Sequence, residues 1–320
     1  MKLKKKDSRM LFELDLNYRR PYSRIGKKIK MSQQMISYRV KSMVSDGAIQ
    51  GYYPLVDYSR FGCLNFRVYF KINYVSKERF AELIKKISDH KNITRVMECD
   101  GRYDLLTVFA AKNPSSFNKM FRELIESNQK QLKNYVILTT VVEHYYSRNY
   151  LGGKTERDTI IGGDREEVKI DDTDRKIIKA ILEGKKTTVE IAGVAGVTPR
   201  TVVSRLRKMK RMGIIKGYRM IINTRKIGIF TDKVLIKYHN LSIDREKELM
   251  NFCRTNPNIT EVIKTFGVWD IELTIETETR EEFRNIYITI REKFEDIIED
   301  FDNFRVFRIY KKMTLPDGFL

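Results

Sequence analysis

MSQQMISYRVKSMVSDGAIQGYY, residues 31–53, and VTPRTVVSRLRKMKRMGIIKGYR, residues 197–219, follow one plan. Each opens on a residue suited to cap a helix, Ser32 or Thr198, and Pro199 takes the favoured first helical position. Apolar residues then recur at helical spacing, Ile36, Val40 and Met43 in one stretch and Val202, Leu206 and Met209 in the other. Gly47 and Gly213 stop the helices, and apolar, tyrosine-rich runs follow that suit a β-hairpin wing.

The correspondence extends well beyond these stretches. An offset of 166 carries Gly47 to Gly213, Arg39 to Arg205, Gly62 to Gly228, Gly101 to Gly267 and Asp104 to Asp270. One offset over so long a span means two copies of a unit of roughly 150 residues, too long for a solenoid repeat. Between the copies, LGGKTERDTIIGGDREE has two Gly-Gly doublets and many charges, the composition of a flexible linker. The expected units are residues 1–60 and 167–226, each a winged helix-turn-helix, and residues 61–150 and 227–320, each a sensor domain, with a linker at 151–166.

In each unit two short amphipathic helices precede the quoted one, so the opening segments predict helix-turn-helix folds. The third helix leaves Gln33, Gln34, Ser37, Tyr38 and Lys41 outward in the first copy, and Arg200, Thr201, Ser204, Arg205 and Lys208 in the second. Lys27 and Lys28 end the preceding helix of the first copy and suit phosphate contact.

Charge marks the same segments. The chain carries a net +20 over 320 residues. Residues 1–60 hold 14 Lys/Arg against 5 Asp/Glu and residues 167–226 hold 16 against 6, which leaves the remainder near neutral. Two basic modules alternating with near-neutral ones are an electrostatic footprint for a polyanion, here double-stranded DNA.

The second part of each unit alternates strands and helices in the order βαββαβ. In LNFRVYFKINY, residues 64–74, Leu64, Phe66, Val68, Phe70 and Ile72 share one face; residues 230–240 repeat this, with Asp232 falling on the apolar face. This is a ferredoxin-like sheet with helices on one side. Its other face, where Tyr69 and Leu235 would lie, asks for a partner sheet from the same chain or a second one, so a homo-oligomer through these sheets is expected. The fold class is α+β, two tandem copies of a winged helix-turn-helix followed by a βαββαβ domain.

A helix-turn-helix, a wing, then βαββαβ with a GxYD loop resembles the Lrp/AsnC, or feast/famine, family of transcription regulators. DSRMLFEL and DTDRKIIKAIL, MSQQMISYRV and VTPRTVVSRL, and DGRYDLLT and FGVWDIELT carry the resemblance. It implies DNA binding as dimers or larger assemblies and response to an amino acid held near the GxYD loop. Carried over residue by residue, that loop is Gly101, Tyr103 and Asp104 in the first copy and Gly267, Trp269 and Asp270 in the second, with Trp269 standing where the pattern has tyrosine. The mechanical alternative makes the glycine a close backbone approach and the aspartate a turn cap.

Siroheme decarboxylases resemble the same architecture, and Arg20-Pro21-Tyr22 matches their RPY. That resemblance implies a histidine near the loop, whereas the three histidines here, His90, His144 and His239, lie elsewhere. Proton transfer to a decarboxylated carbon needs a group titrating near neutrality at the substrate, so the enzyme reading is the alternative. A ligand-independent architectural DNA binder is another. No phosphate-loop, HExxH or GxSxG motif occurs, and no metal or cofactor is expected beyond an amino-acid effector. Three cysteines in no CxxC pair fit a reducing cytoplasm, and no apolar run approaches the ~20 residues of a membrane helix.

Overall fold

The computed structural model describes residues 3–73, 76–240 and 242–320; Tyr74, the end of the expected strand 64–74, lies outside them. The first copy runs α1 (Lys5–Leu16), α2 (Tyr22–Ile29), α3 (Gln33–Ser45), β1 (Ile49–Val56), β2 (Leu64–Ile72), α4 (Lys77–Asp89), β3 (Ile93–Gly101), β4 (Leu105–Ala111), α5 (Pro114–Glu126) and β5 (Leu132–Tyr145). A four-residue strand, β6 (Thr159–Gly162), follows. The second copy repeats the order: α6 (Asp172–Leu182), α7 (Thr188–Ala195), α8 (Pro199–Arg211), β7 (Ile215–Ile222), β8 (Phe230–Tyr238), α9 (Ile243–Thr255), β9 (Ile259–Phe266), β10 (Ile271–Thr277), α10 (Arg280–Lys293) and β11 (Ile298–Lys312). None of these helices is long and apolar enough to cross a membrane among the described residues.

The wing departs from expectation. Neither copy forms its own hairpin; each supplies one strand, and β1 pairs antiparallel with β7 from Ile49↔Ile222 to Val56↔Ile215. A lone strand leaves its backbone ladder unpaired, and the second copy in the same chain satisfies it. The helical cores are crossed as a result. Helices α1–α3 bury Met10, Leu11, Ile36 and Val40 against Met220 and Ile222 of β7, while α6–α8 bury Ile177, Ile191 and Val202 against Leu55 and Val56 of β1.

Each βαββαβ part packs its helices on one face, with Phe66, Val68 and Phe70 against α4 and α5. Strand order within a copy is β5-β2-β4-β3 and β11-β8-β10-β9. Two long strands then cross over. β5 lies beside β2 up to Thr139 and continues beside β9, and β11 lies beside β8 up to Arg305 and continues beside β3. The eight strands therefore close into a ring, which removes most free edges. The faces expected to await a partner cover each other within the chain, and Tyr69 and Leu235 share one buried cluster with Leu138, Phe304, Tyr103 and Trp269.

The segment expected to be a flexible linker is instead partly built into the sheet. β6 pairs with β5 at Val142–Tyr145, and Leu151 and Ile161 are buried. The short apolar run between the Gly-Gly doublets satisfies an otherwise open strand edge, which outweighs the freedom its glycines allow.

Between the sheets, the end nearest the β1–β7 ribbon is charged. Arg67 and Glu272, both fully buried, lie 2.7 Å apart, and Lys233 reaches the same carboxylate at 2.7 Å. Arg95 pairs with Glu143, Lys312 with Glu261, and Arg148 bridges Asp15 and Glu276. Burial alone would raise the Glu272 carboxyl, but Arg67 and Lys233 outweigh it and hold it down to about 2. Asp232, the charge on the apolar face, is paired with Arg305 at 2.9 Å, and burial raises its carboxyl.

Candidate nucleic-acid interface

The two third helices are capped as their sequences require. The Ser32 hydroxyl accepts from the Met35 amide and the Thr198 hydroxyl from the Thr201 amide, each at 3.1 Å. Ile36, Val40 and Met43 are buried under α3, and Val202 and Met209 under α8. The opposite faces are exposed. At 100° per residue, Gln34, Tyr38, Lys41 and Ser45 form the outward stripe of α3, and Arg200, Ser204, Arg207 and Arg211 that of α8. Gln33 is exposed beside this stripe and Ser37 half-buried. Arg207 and Arg211 were missed by sequence reasoning, although the same helical count places them one and two turns beyond Ser204.

Four of the expected contact residues also make contacts within the fold. Arg205 pairs with Asp171 and Asp174 at the start of α6, and Lys208 lies 3.5 Å from Asp174. Asp174 is buried, so cations must neutralise it. Arg39, the mate of Arg205, makes a similar tie to Asp7 at 3.7 Å. The Thr201 hydroxyl lies 2.9 Å from that of Thr198 within the cap. On α2, Lys28 reaches the buried Glu13 at 2.5 Å, whereas Lys27 is exposed.

The turns before α3 and α8 differ. Both take a left-handed residue, Gly196 at φ +67 and Lys30 at φ +56. Glycine adopts that conformation freely, but a lysine is strained there.

The GxYD residues come together, but as core and turn. Asp104 accepts from the Ile72 amide at 2.7 Å and pairs with Lys71 at 2.9 Å; Asp270 accepts from the Tyr238 amide at 2.8 Å and pairs with Lys237 at 3.0 Å. Tyr103 and Trp269 are buried between the sheets. Gly101 and Gly267 have positive φ, and a Cβ on Gly267 would fall 2.7 Å from Leu138 Cδ2. The aspartates are thus strand staples, and the glycine admits the crossing strand β5. Asp104 also borders a groove of about 1020 Å³ between α4 and β11. His144 sits within the sheet and pairs with Asp158 at 2.8 Å.

Capped helix pairs with polar outer faces, set on a ring of ferredoxin-like strands, define a helix-turn-helix DNA-binding protein with an α/β companion domain. Residues 170–216 match the family model described as winged helix-turn-helix DNA-binding. The HTH-type transcriptional regulator FL11 of Pyrococcus horikoshii is 31% identical over 120 residues, 37% of this chain and 78% of the relative. The regulatory protein AsnC of Haemophilus influenzae is 31% identical over 121 residues, 38% of this chain and 80% of the relative. The chain belongs to the Lrp/AsnC family of transcription regulators. Its fold over the whole length is similar to that of the siroheme decarboxylase NirDL, with a TM-score of 0.61 at 12% identity, covering 98% of this chain and 94% of the other. At that identity the likeness extends to fold and not to activity.

Proposed function

We propose that the chain is a sequence-specific regulator that binds double-stranded DNA through two unlike reading helices, α3 and α8, without catalysing a reaction. What supports this is the coincidence, in both copies, of a capped helix, a buried Ile/Val/Met side and an exposed polar or cationic stripe. Residues near the start of such a helix reach base edges in the major groove and those beyond it hold phosphates. Gln33 and Gln34 suit adenine, and Arg200 suits guanine. Ser37, Tyr38, Lys41 and Ser204 flank them, while Lys27, Arg207 and Arg211 face the backbone. The β1–β7 ribbon joins the two modules directly, so binding of the first presents the second without a separate encounter.

Selection of sites from random duplexes tests the reading: two unlike half-sites are expected, and strictly palindromic sites would sink it. Arg200→Ala relaxes preference at one base position, whereas Lys27→Ala weakens all sequences alike.

An amino-acid effector is the finer part of the proposal. The groove beside Asp104 offers it Lys71 for a carboxylate and the apolar side chains of Phe80 and Ile84 for a side chain. A thermal-shift panel of the common amino acids tests it, and a flat panel favours a ligand-independent architectural binder. Assembly of several chains would use surfaces outside the closed ring, such as the exposed Phe266 and Val268. Adding siroheme and finding a shifted absorption band would overturn the non-enzymatic reading.

A further inference from the structure

The two crossing strands are pseudo-symmetric, yet among the described residues only one of them has a strand on both sides beyond its crossover. Beyond Thr139, β5 has left β2 behind, and the vacated edge is taken by β6, from Val142↔Gly162 to Tyr145↔Thr159. Side chains lock the insert in place: Asp57 accepts from the Gly162 amide at 2.8 Å, Ile161 is fully buried, and Arg60 donates to the Glu166 carbonyl at 3.0 Å. Beyond Arg305, β11 has likewise left β8, but its edge from Phe307 onward has no strand beside it among the described residues.

A cavity of about 340 Å³ opens there, between β11, the β1–β7 ribbon and the turn after β7. Met97, Met220, Ile222 and Val306 give it apolar walls, and Lys233, Glu261, Glu276 and Lys312 give it charged ones that are paired with one another or with neighbouring buried groups. Its mouth is cationic. Arg225 and Arg308 are exposed, and the Arg225 guanidinium sits 3.9 Å over the ring of Phe307, itself 41% exposed, and donates to the Phe307 carbonyl at 3.5 Å, a bond an added strand would displace.

We propose that this edge accepts an extended peptide segment of a partner protein, apolar at its centre and acidic at its flanks. An unpaired strand offers a row of backbone donors and acceptors that an added strand satisfies, and neighbouring pockets select alternate side chains. Here the backbone is the 307–311 segment, the pocket is the cavity, and the arginines at its mouth select acidic flanks. The chain's own β6 is the template. ERDTIIGGDREE, residues 156–167, places Ile160 and Ile161 between acidic ends and occupies the mate of this edge. The inference does not depend on the DNA-binding reading, because neither α3 nor α8 lines the cavity.

The test is fluorescence anisotropy of a labelled 156–167 peptide titrated with the full chain, with hydrogen exchange reporting where it lands. Saturable binding at roughly 10–100 μM, about −6 kcal/mol by conversion, is expected, with slowed exchange at residues 307–311. A peptide with Ile160→Pro should bind at least about tenfold more weakly, since proline removes a ladder donor. The chain with Arg225→Glu and Arg308→Glu, exposed positions whose folding a melt verifies, should lose about tenfold as well. The proposal is overturned by no saturation up to about 1 mM, by equal binding of the proline peptide, or by protection confined to 142–145. It is also overturned if inorganic phosphate or a short duplex protects 307–311 while the peptide does not, which would mark an anion site.

Discussion

The outward stripe of α8 carries Arg200, Arg207 and Arg211, whereas that of α3 carries Lys41 alone among glutamine, tyrosine and serine. Beneath these stripes the two helices agree in cap, buried positions and terminal glycine. Duplication has therefore kept what folds the helix and released what faces outward. The interior shows the same freedom. Arg67 and Lys233 are offset mates, and both reach Glu272, whose own mate is Leu106. A single carboxylate serves cations from both copies, an arrangement that identical subunits related by two-fold symmetry would have to present twice.

The strongest way to break that comparison is at the shared carboxylate. Glu272→Gln leaves two buried cations undercompensated and should cost about 3–5 kcal/mol in chemical denaturation, far more than a change on either stripe. Acid should act through the same group. Its folded pKa of about 2 lies below the ordinary value, so its stabilising contribution is complete above about pH 4.5 and is lost as pH falls toward 2. A denaturation series over that window should show the loss, and Glu272→Gln should flatten it.

The stripes themselves separate by salt. Arg207→Ala with Arg211→Ala should reduce the slope of log affinity against log salt by about two, and Lys41→Ala by about one. Equal slopes would mean that both copies hold DNA alike. The smallest expected effect lies in the turns. Lys30→Gly should stabilise by up to about 1 kcal/mol and Gly196→Lys should destabilise by about 1–2 kcal/mol, read as shifts in thermal midpoint.

Period and punctuation made the repeat, the capped helices and the βαββαβ order legible, because each depends on neighbours within a few residues. Which strand pairs with which did not follow. The run from Ile49 to Val56 announces a strand but not that its ladder partner lies in the other copy. Arg67, Arg95 and Lys233 occupy the alternate positions that read as a solvent face, and only the closed ring turns that face inward. Arg205 and Lys208 read as DNA-facing because their partner, Asp174, sits some 30 residues away on another helix. The GxYD aspartates follow the mechanical alternative, since both oxygens of each are occupied by the neighbouring strand and lysine.

Because β1 pairs with β7, the first helical module lacks part of its core until residue 222 has been made. At about 5–20 residues per second, a ribosome leaves β1 waiting for roughly ten to thirty seconds. During that interval Leu55 and Val56 stand on a nascent chain without their cover. Holding chaperones should therefore matter to the yield of this tandem, because the strand that completes its first module is made so late.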